Sequence, residues 1–389
     1  MPSLRACIDE ALMATSAKRL APTVERLIAT YRSGDAATAP ILSTAAAVFA
    51  YAAYRMPATY AVAHAVLAAM QAAAPDVQPQ TLVDFGAGTG AFGWAATELW
   101  PTVTELCLLE QAEHAVALGR SLAQASGRST LQTARWISWR LGDADHDIAG
   151  DVASAAYVLG ELSSDQQARL LDTMAATAPV VVLIEPGTPA GFARVIAARD
   201  ALIASGHTIL APCPHEFACP MLAKHDWCHF AARLDRSRLH REVKGGDMSY
   251  EDEKFSYVVA RRTAAEGVGS FRDARIVRHP RQRKGLVSLQ LCTPSGSAVE
   301  QLVAKSQGMA YRFARDARWG STWPGPTPLT PSTEERPMPD DAAKDLEAQA
   351  KKHIDDMPAE TALGNADPEG GGEGTPAEYV AEHEGKGGK

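Results

Sequence analysis

Cysteine is scarce in this chain, with six in 389 residues: Cys7, Cys107, Cys213, Cys219, Cys228 and Cys292. So thin a supply excludes the disulfide framework of a small secreted domain and points to a reducing compartment. A secretory signal is missing as well, because the opening stretch carries Arg5, Asp9, Glu10, Lys18 and Arg19 and no uninterrupted apolar core. The expectation is a cytoplasmic protein. Long apolar runs are also lacking. Residues 36–54 are uncharged, but they are mostly alanine broken by Pro40, Ser43 and Thr44, and alanine contributes little to insertion in a bilayer. They read as a buried helix, and no membrane partner is expected. No repeat of solenoid period is present.

The charge that is present sits unevenly. Charged residues make up 22% of the chain and hydrophobic ones 46%, enough for a large core and more than one domain. The formal net charge is −8, yet residues 331–389 alone hold 15 acidic against 6 basic side chains, which leaves the rest near neutrality. Within that rest, residues 231–284 carry 14 Lys or Arg and 8 Asp or Glu. A local basic excess is suited to phosphate.

Residues 1–76 read as a helical N-terminal domain, since ALMATSAKRLAPTVERLIATY and TYAVAHAVLAAMQAAA set apolar residues at three- and four-residue spacing. From Thr81 the period shortens. TLVDFG, TELCLLE, SAAYVLGEL and PVVVLIEPG are apolar runs separated by helix-compatible stretches, the pattern of a parallel sheet covered on both faces, so residues 77–206 read as an α/β core. After the helix PAGFARVIAARDALIASG comes a third part, 207–325, with four cysteines, the basic excess and two more strands, KFSYVVARR and GLVSLQLCT. Residues 331–389 hold one aromatic, Tyr379, among Glu, Asp, Pro, Gly and Lys. They read as a disordered acidic tail.

The loop Asp84-Phe85-Gly86-Ala87-Gly88-Thr89-Gly90 directly follows the first of those runs. Glycine at 86, 88 and 90 removes the Cβ atoms that would stand between a ligand and a sharp strand-to-helix turn. Alternating glycines behind an acid, here Asp84, have the spacing of S-adenosylmethionine sites rather than the G-x-G-x-x-G of dinucleotide loops. Glu110 ends the next run, where a carboxylate grips ribose hydroxyls, and Asp143 falls where such folds set a side chain beside adenine. The expected fold is therefore α/β, the Rossmann-like fold of class I S-adenosylmethionine-dependent methyltransferases. A tight turn without a ligand accounts for the glycines but not for Glu110. No acceptor chemistry is legible: the fourth run has no Asn-Pro-Pro-aromatic signature, its only ionisable group is Glu161, and Glu185-Pro186-Gly187 is expected to line the pocket without supplying a nucleophile.

Cys213, Cys219 and Cys228 fall within APCPHEFACPMLAKHDWCHF, and Cys292 closes a strand. The paired C-x-x-C knuckles of a structural zinc are absent, although His215, His225 or His229 could replace a sulfur. The C-x-x-x-C-x-x-C of a radical enzyme is absent too. Irregular spacing, with proline after Cys213 and after Cys219, suits an iron–sulfur cluster, whose ligands need only converge on a cube. Either metal would make this a cysteine-rich metal-binding insertion. Four small core residues that happen to be cysteine is the plainer reading, but His215, Glu216, Lys224 and Asp226 are not the neighbours of an apolar core. Cys7 and Cys107, on a leader helix and in the second strand, read as core thiols.

FAARLDRSRLHREVKGG and ARIVRHPRQRKG supply Arg236, Arg238, Lys244, Arg278, Arg281, Arg283 and Lys284. Guanidinium forks fit phosphates. With no aromatic stacking motif of the RRM kind, backbone and shape contacts to folded RNA are the natural reading, the other being a solvated face balanced by Glu251, Asp252 and Glu253. Nothing in the pattern points to DNA.

Taken together, AYRMPATYAV, DFGAGTG, IEPGTPAGF, APCPHEFACP, DWCHFAARLDRS, KGGDMSYEDEKFSYVVARR and HPRQRKG resemble the methyltransferase-like family of mitochondrial small-ribosomal-subunit proteins and their bacterial relatives, over residues 45–323. The cysteine segment is the specific part of this resemblance. It implies a four-iron four-sulfur cluster on Cys213, Cys219, Cys228 and Cys292, a cofactor pocket at Gly86, Gly88 and Gly90, and a role in assembling the small ribosomal subunit with ribosomal RNA as partner. An active rRNA methyltransferase and a binding module with a structural zinc are the alternatives.

Overall fold

Four helices precede any strand. The computed structural model describes residues 1–33, 42–143, 148–244, 248–262 and 273–324; the expected acidic tail, 331–389, lies outside the described residues. The helices are α1 (Leu4–Ala11), α2 (Ala17–Ser33), α3 (Ala45–Tyr54) and α4 (Met56–Ala73). The Thr44 hydroxyl caps α3 by accepting the Ala47 amide at 3.2 Å. Arg55 alone separates α3 from α4, and proline in the first turn of α4 stops α3 from running on. No described helix is long and apolar enough to cross a membrane.

Strands and helices then alternate: β1 (Thr81–Phe85), α5 (Ala91–Leu99), β2 (Glu105–Leu109), α6 (Glu113–Ala125), α7 (Ser129–Gln132), β3 (Arg135–Ile137), β4 (Val152–Ala156), α8 (Ser164–Thr177), β5 (Val180–Pro186), α9 (Pro189–Ala204) and β6 (His207–Ala211). After them come β7 (Phe230–Asp235), α10 (Arg238–Lys244), β8 (Tyr250–Arg262), β9 (Ala274–Ile276), β10 (Arg281–Arg283), β11 (Leu286–Cys292), β12 (Ala298–Ala304), α11 (Met309–Asp316) and β13 (Thr322–Trp323).

The large sheet runs β3-β2-β1-β4-β5-β8-β6, its first five strands parallel and β8 antiparallel. An antiparallel strand slotted between the last two gives the order of the class I methyltransferase-like Rossmann fold, as expected. β1, β2, β4 and β5 are buried along nearly their whole length, as strands with helices on both faces must be. The fourth strand is shorter than its apolar run: it ends at Ala156, where Tyr157 turns into the left-handed region at φ 63° and Leu159–Glu161 wind into a 3-10 turn.

β8 does double duty. One side pairs with β5, from Pro186↔Phe255 to Val180↔Arg261. On its other side β6 takes residues 259–262 and β7 takes 250–255. β6 and β7 therefore lie end to end along one sheet edge, and residues 212–229 leave the sheet between them. The burial of β8 alternates over its first half and is continuous over its second, as expected of a strand that is half-covered at one end and central at the other.

A second, antiparallel sheet runs β10-β11-β9-β13 with β12 also on β11. Ile276, Val287, Leu289, Leu291, Val303 and Trp323 form its own small core. The third part expected from the sequence thus divides: β6, β7 and β8 complete the large sheet, and β9 to β13 stand apart.

α9 begins hard against the end of β5, with the Thr188 hydroxyl accepting the Gly191 amide at 3.1 Å. A Cβ at Gly191 would lie 2.1 Å from the Pro186 carbonyl oxygen, a backbone atom that cannot swing aside. Gly191→Ala is expected to destabilise the chain by about 1–3 kcal/mol, read as a lowered thermal unfolding midpoint.

Candidate functional sites: a glycine-loop pocket and a four-cysteine cavity

The glycine loop adopts the shape its composition allows. Gly86, Gly88 and Gly90 have φ of 70°, 56° and 87°, values that side chains with a Cβ rarely take. A Cβ on Gly86 would also meet Val158 at 2.6 Å. Gly86 and Gly88 line a cavity of about 140 Å³ together with Glu110, Trp139, Arg140, Tyr157 and Glu161 from the sheet side and Tyr51, Arg55 and Thr59 from the helical side. Gly90 begins α5 instead, and Asp84 lies beneath the loop, 2% exposed, accepting the Ser154 hydroxyl at 2.7 Å.

Glu110 is partly engaged already: its two oxygens accept the amides of Gly88 and Ala112, each at 2.8 Å. It ties β2 to the loop while facing the cavity. Asp143 is exposed, accepts the Arg140 amide at 2.7 Å, and is not on the cavity wall; Trp139, packed edge-on to Phe85, stands there. Glu185 is also elsewhere. It is fully buried, accepts the Leu159 amide at 3.0 Å and pairs with Arg194 at 2.7 Å, pinning the turn after β4 from behind.

Three residues without a sequence signal roof the pocket. Arg55, at the joint of α3 and α4, pairs with Glu253 of β8 at 2.6 Å, and its guanidinium lies 4.3 Å from the centre of the Tyr157 ring. The Thr59 hydroxyl neighbours that of Tyr51, while the Tyr157 hydroxyl is buried with no hydrogen-bond partner among the described residues. A bulky residue held left-handed costs roughly 1–2 kcal/mol, and an orphaned buried hydroxyl adds to that. The unpartnered hydroxyl suits a polar occupant of this cavity.

Burial pushes the Asp84 carboxyl up to about 7 against the Ser154 hydrogen bond, with the Glu110 charge adding to it. Glu161 is likewise pushed up to about 7, by burial first and then by the charges of Glu110 and Glu185. Of these two, Glu161 lines the pocket, beside Glu110, Arg55 and Arg140.

The four cysteines converge as the spacing alone did not require. Cys213, Cys219 and Cys228 lie in the 212–229 excursion, and Cys292 arrives from the end of β11; all four line one cavity of about 30 Å³ between the two sheets. The excursion is fastened on every side. The Ser256 hydroxyl donates to the Cys228 carbonyl at 2.9 Å, Trp227 Nε1 to the Gly187 carbonyl at 2.9 Å, and Arg275 Nε to the Pro212 carbonyl at 3.0 Å. Arg278 reaches from the small sheet to the Asp226 carboxylate at 2.6 Å and the Trp227 carbonyl at 3.0 Å. Burial pushes all four thiols up, Cys292 to about 12, and neighbouring sulfurs push Cys228 and Cys292 the same way. Any metal here must displace those protons. Of the three histidines, His215 touches a thiol, Nε2 to Cys292 Sγ at 3.3 Å; His229 stacks on Trp227, and His225 is exposed. Among the described residues no three His, Cys, Asp or Glu side chains are grouped closely enough to hold a single metal ion. Cys7 and Cys107 are 2% and 4% exposed, in α1 and β2.

The basic residues separate into two groups. Arg236 is 7% exposed and, with Lys244, pairs with Glu251, and Arg278 holds the cysteine excursion as described. Arg238, Arg281, Arg283 and Lys284 are exposed, the last three at the β10–β11 hairpin; Arg238 pairs with Glu242 and Arg281 with Glu300.

The family model described as mitochondrial small ribosomal subunit Rsm22 matches residues 45–324. The ribosome assembly protein METTL17, mitochondrial, of Homo sapiens is 29% identical over 304 residues, covering 74% of this chain and 65% of that protein. Rsm22-cox11 tandem protein 2, mitochondrial, of Schizosaccharomyces pombe is 24% identical over 332 residues, covering 71% of this chain and 43% of that protein. The chain spans less than two thirds of the length of either relative. Precorrin-6y C5,15-methyltransferase from Geobacter metallireducens GS-15 superposes with a TM-score of 0.34 at 13% identity, over 51% of this chain and 87% of that one; so slight a likeness adds nothing to the strand order. Because the matched family and relatives are mitochondrial, the expectation of a cytoplasmic protein is overturned. A scarcity of cysteine points to a reducing compartment but does not tell one such compartment from another.

The raised Glu161 pKa has a definite sign. A group whose folded pKa exceeds its ordinary 4.5 contributes stability below that value and loses it as pH rises through about 7. Glu161→Gln is therefore expected to gain stability relative to the parent chain across that window, on the order of 2–3 kcal/mol at the upper plateau. Denaturant unfolding at a series of pH values measures it, and a pH-independent difference contradicts it.

Proposed function

The chain belongs to the mitochondrial small ribosomal subunit Rsm22 family, and from that membership we propose that it acts in assembly of the small ribosomal subunit, binding ribosomal RNA while holding S-adenosylmethionine at the glycine loop and an iron–sulfur cluster on Cys213, Cys219, Cys228 and Cys292. The observation that carries this reading is the convergence of four thiols, three from the 212–229 excursion and one from the end of β11, on one cavity, next to a small sheet whose β10–β11 hairpin presents Arg281, Arg283 and Lys284. When bound, such a cluster supplies a metal–thiolate cross-link between segments distant in sequence.

S-adenosylmethionine fits the pocket in kind. Gly86 and Gly88 leave room for its backbone-side approach, Glu110 offers a carboxylate to the ribose, Trp139 offers a flat apolar wall to adenine, and Glu161 gives a cation an acidic neighbour. The wall that follows β4 is occupied by Tyr157 under the Arg55–Glu253 ion pair. That arrangement supports binding rather than methyl transfer, and an unchanged RNA modification map after deletion of the gene would separate the two.

Sedimentation of a lysate at low salt is expected to carry the protein with small-subunit particles; a protein found wholly in the light fractions would sink the assembly reading. For isolated small-subunit RNA, replacing Arg281, Arg283 and Lys284 together by alanine is expected to weaken binding and flatten the slope of log K against log salt by roughly 2–3. An unchanged slope removes the hairpin from the interface.

A further inference from the structure

The wall of the four-cysteine cavity contains two cations and, among the described residues, no carboxylate: Arg199 from α9 and Arg275 from β9. Arg199 is 1% exposed. Its Nη2 donates to the carbonyls of His215 and Phe217 at 2.9 and 2.8 Å, and its Nη1 pairs at 2.6 Å with Asp200, whose side chain is itself 55% exposed. Its guanidinium also meets the Cys213 side chain. Arg275 lines the same cavity, paired in register with Cys292 and donating, among the described residues, to the carbonyls of Pro212 and Gly320. Asp200 and the two carbonyls engage part of the Arg199 guanidinium, and the rest of it, with Arg275, meets sulfurs that carry an opposite charge only as thiolates. Four thiolates around a metal group carry net negative charge. The cavity is therefore built for an anionic occupant, with one guanidinium on the large-sheet side and one on the small-sheet side.

We propose that Arg199, seconded by Arg275, is the positioning residue that balances the charge of the thiolate-held group, and so governs how firmly that group is retained and at what potential it is reduced. This rests on the cluster reading above. Arg199 is well placed for both tasks, since the same guanidinium that faces the cavity also ties the two carbonyls between Cys213 and Cys219. Loss of the charge would leave the thiolates uncompensated and make the reduced, more negative state harder to reach.

The test uses the full chain, purified without oxygen, and its Arg199→Lys, Arg199→Gln and Arg275→Gln variants. Iron, acid-labile sulfide and zinc per chain, transfer of metal to a chelator, and midpoint potential are compared. The parent chain is expected to contain iron and sulfide. Arg199→Gln, which keeps hydrogen-bond donors but loses the charge, is expected to hold metal about 10–100-fold less tightly and to shift the potential negative. Arg199→Lys, which keeps the charge, is expected to stay close to the parent in potential. If Lys and Gln variants shift alike, or if Gln leaves retention and potential unchanged, the residue serves only to brace the loop and the charge-balance proposal is overturned. Should Arg199→Gln fail to fold, the potential of Arg275→Gln decides: a negative shift supports the proposal and an unchanged value overturns it. Zinc without iron or sulfide in the parent chain defeats the cluster reading alone, and the arginine proposal then stands or falls on tenfold or greater acceleration of zinc transfer by Arg199→Gln. A parent chain with no metal defeats both.

Discussion

The main-chain hydrogen bonds of β8 are the constraint from which the rest follows. This strand closes the large sheet against β5 along Val180–Pro186 and holds both β6 and β7 on its other side. Because those two partners are collinear, the residues between them cannot remain in the sheet and must stand out from its edge. Three cysteines are carried out with them. The small sheet, entered directly after β8, then returns Cys292 to the same place. A single long antiparallel pairing thus converts an unremarkable sequence spacing into a four-thiol cavity.

That dependence explains what could be read from the residues and what could not. The glycine loop was legible because positive φ at Gly86, Gly88 and Gly90 is demanded locally and only glycine meets it without strain. The parallel strands β1, β2 and β5 were legible as apolar runs because both their faces are covered. β3, with three partly exposed residues, has no such run, and β6 and β7 each look like short fragments since their partner is distant in sequence. The run through Tyr157 was overextended because apolarity cannot distinguish a strand from the left-handed turn and 3-10 segment that follow it.

The site residues show the same division. Gly86, Gly88, Glu110 and the four cysteines come to cavity walls. Glu185, expected to line the pocket, is spent on Arg194 and the Leu159 amide. Arg236, Lys244 and Arg278 belong to a basic stretch in composition, but in space they neutralise Glu251 and Asp226. A charge count along the chain does not know which charges face each other. Arg199 and Arg55 had no motif at all; each acquires meaning only from groups brought to it by tertiary structure. Compartment is a further instance, since reduced thiols describe a redox condition rather than an address.

The division of one edge strand into β6 and β7 has a further effect on how the protein behaves in company. A continuous edge offers a row of unpaired amides and carbonyls to any other extended chain. Here β6 offers five residues, with a bulge between Ile209 and Ala211, before the cysteine excursion interrupts it, and β7 offers six more. At the opposite edge β3 is only three residues long. Neither edge is a long flat template, so the same excursion that gathers the thiols also blunts the sheet against edge-to-edge aggregation.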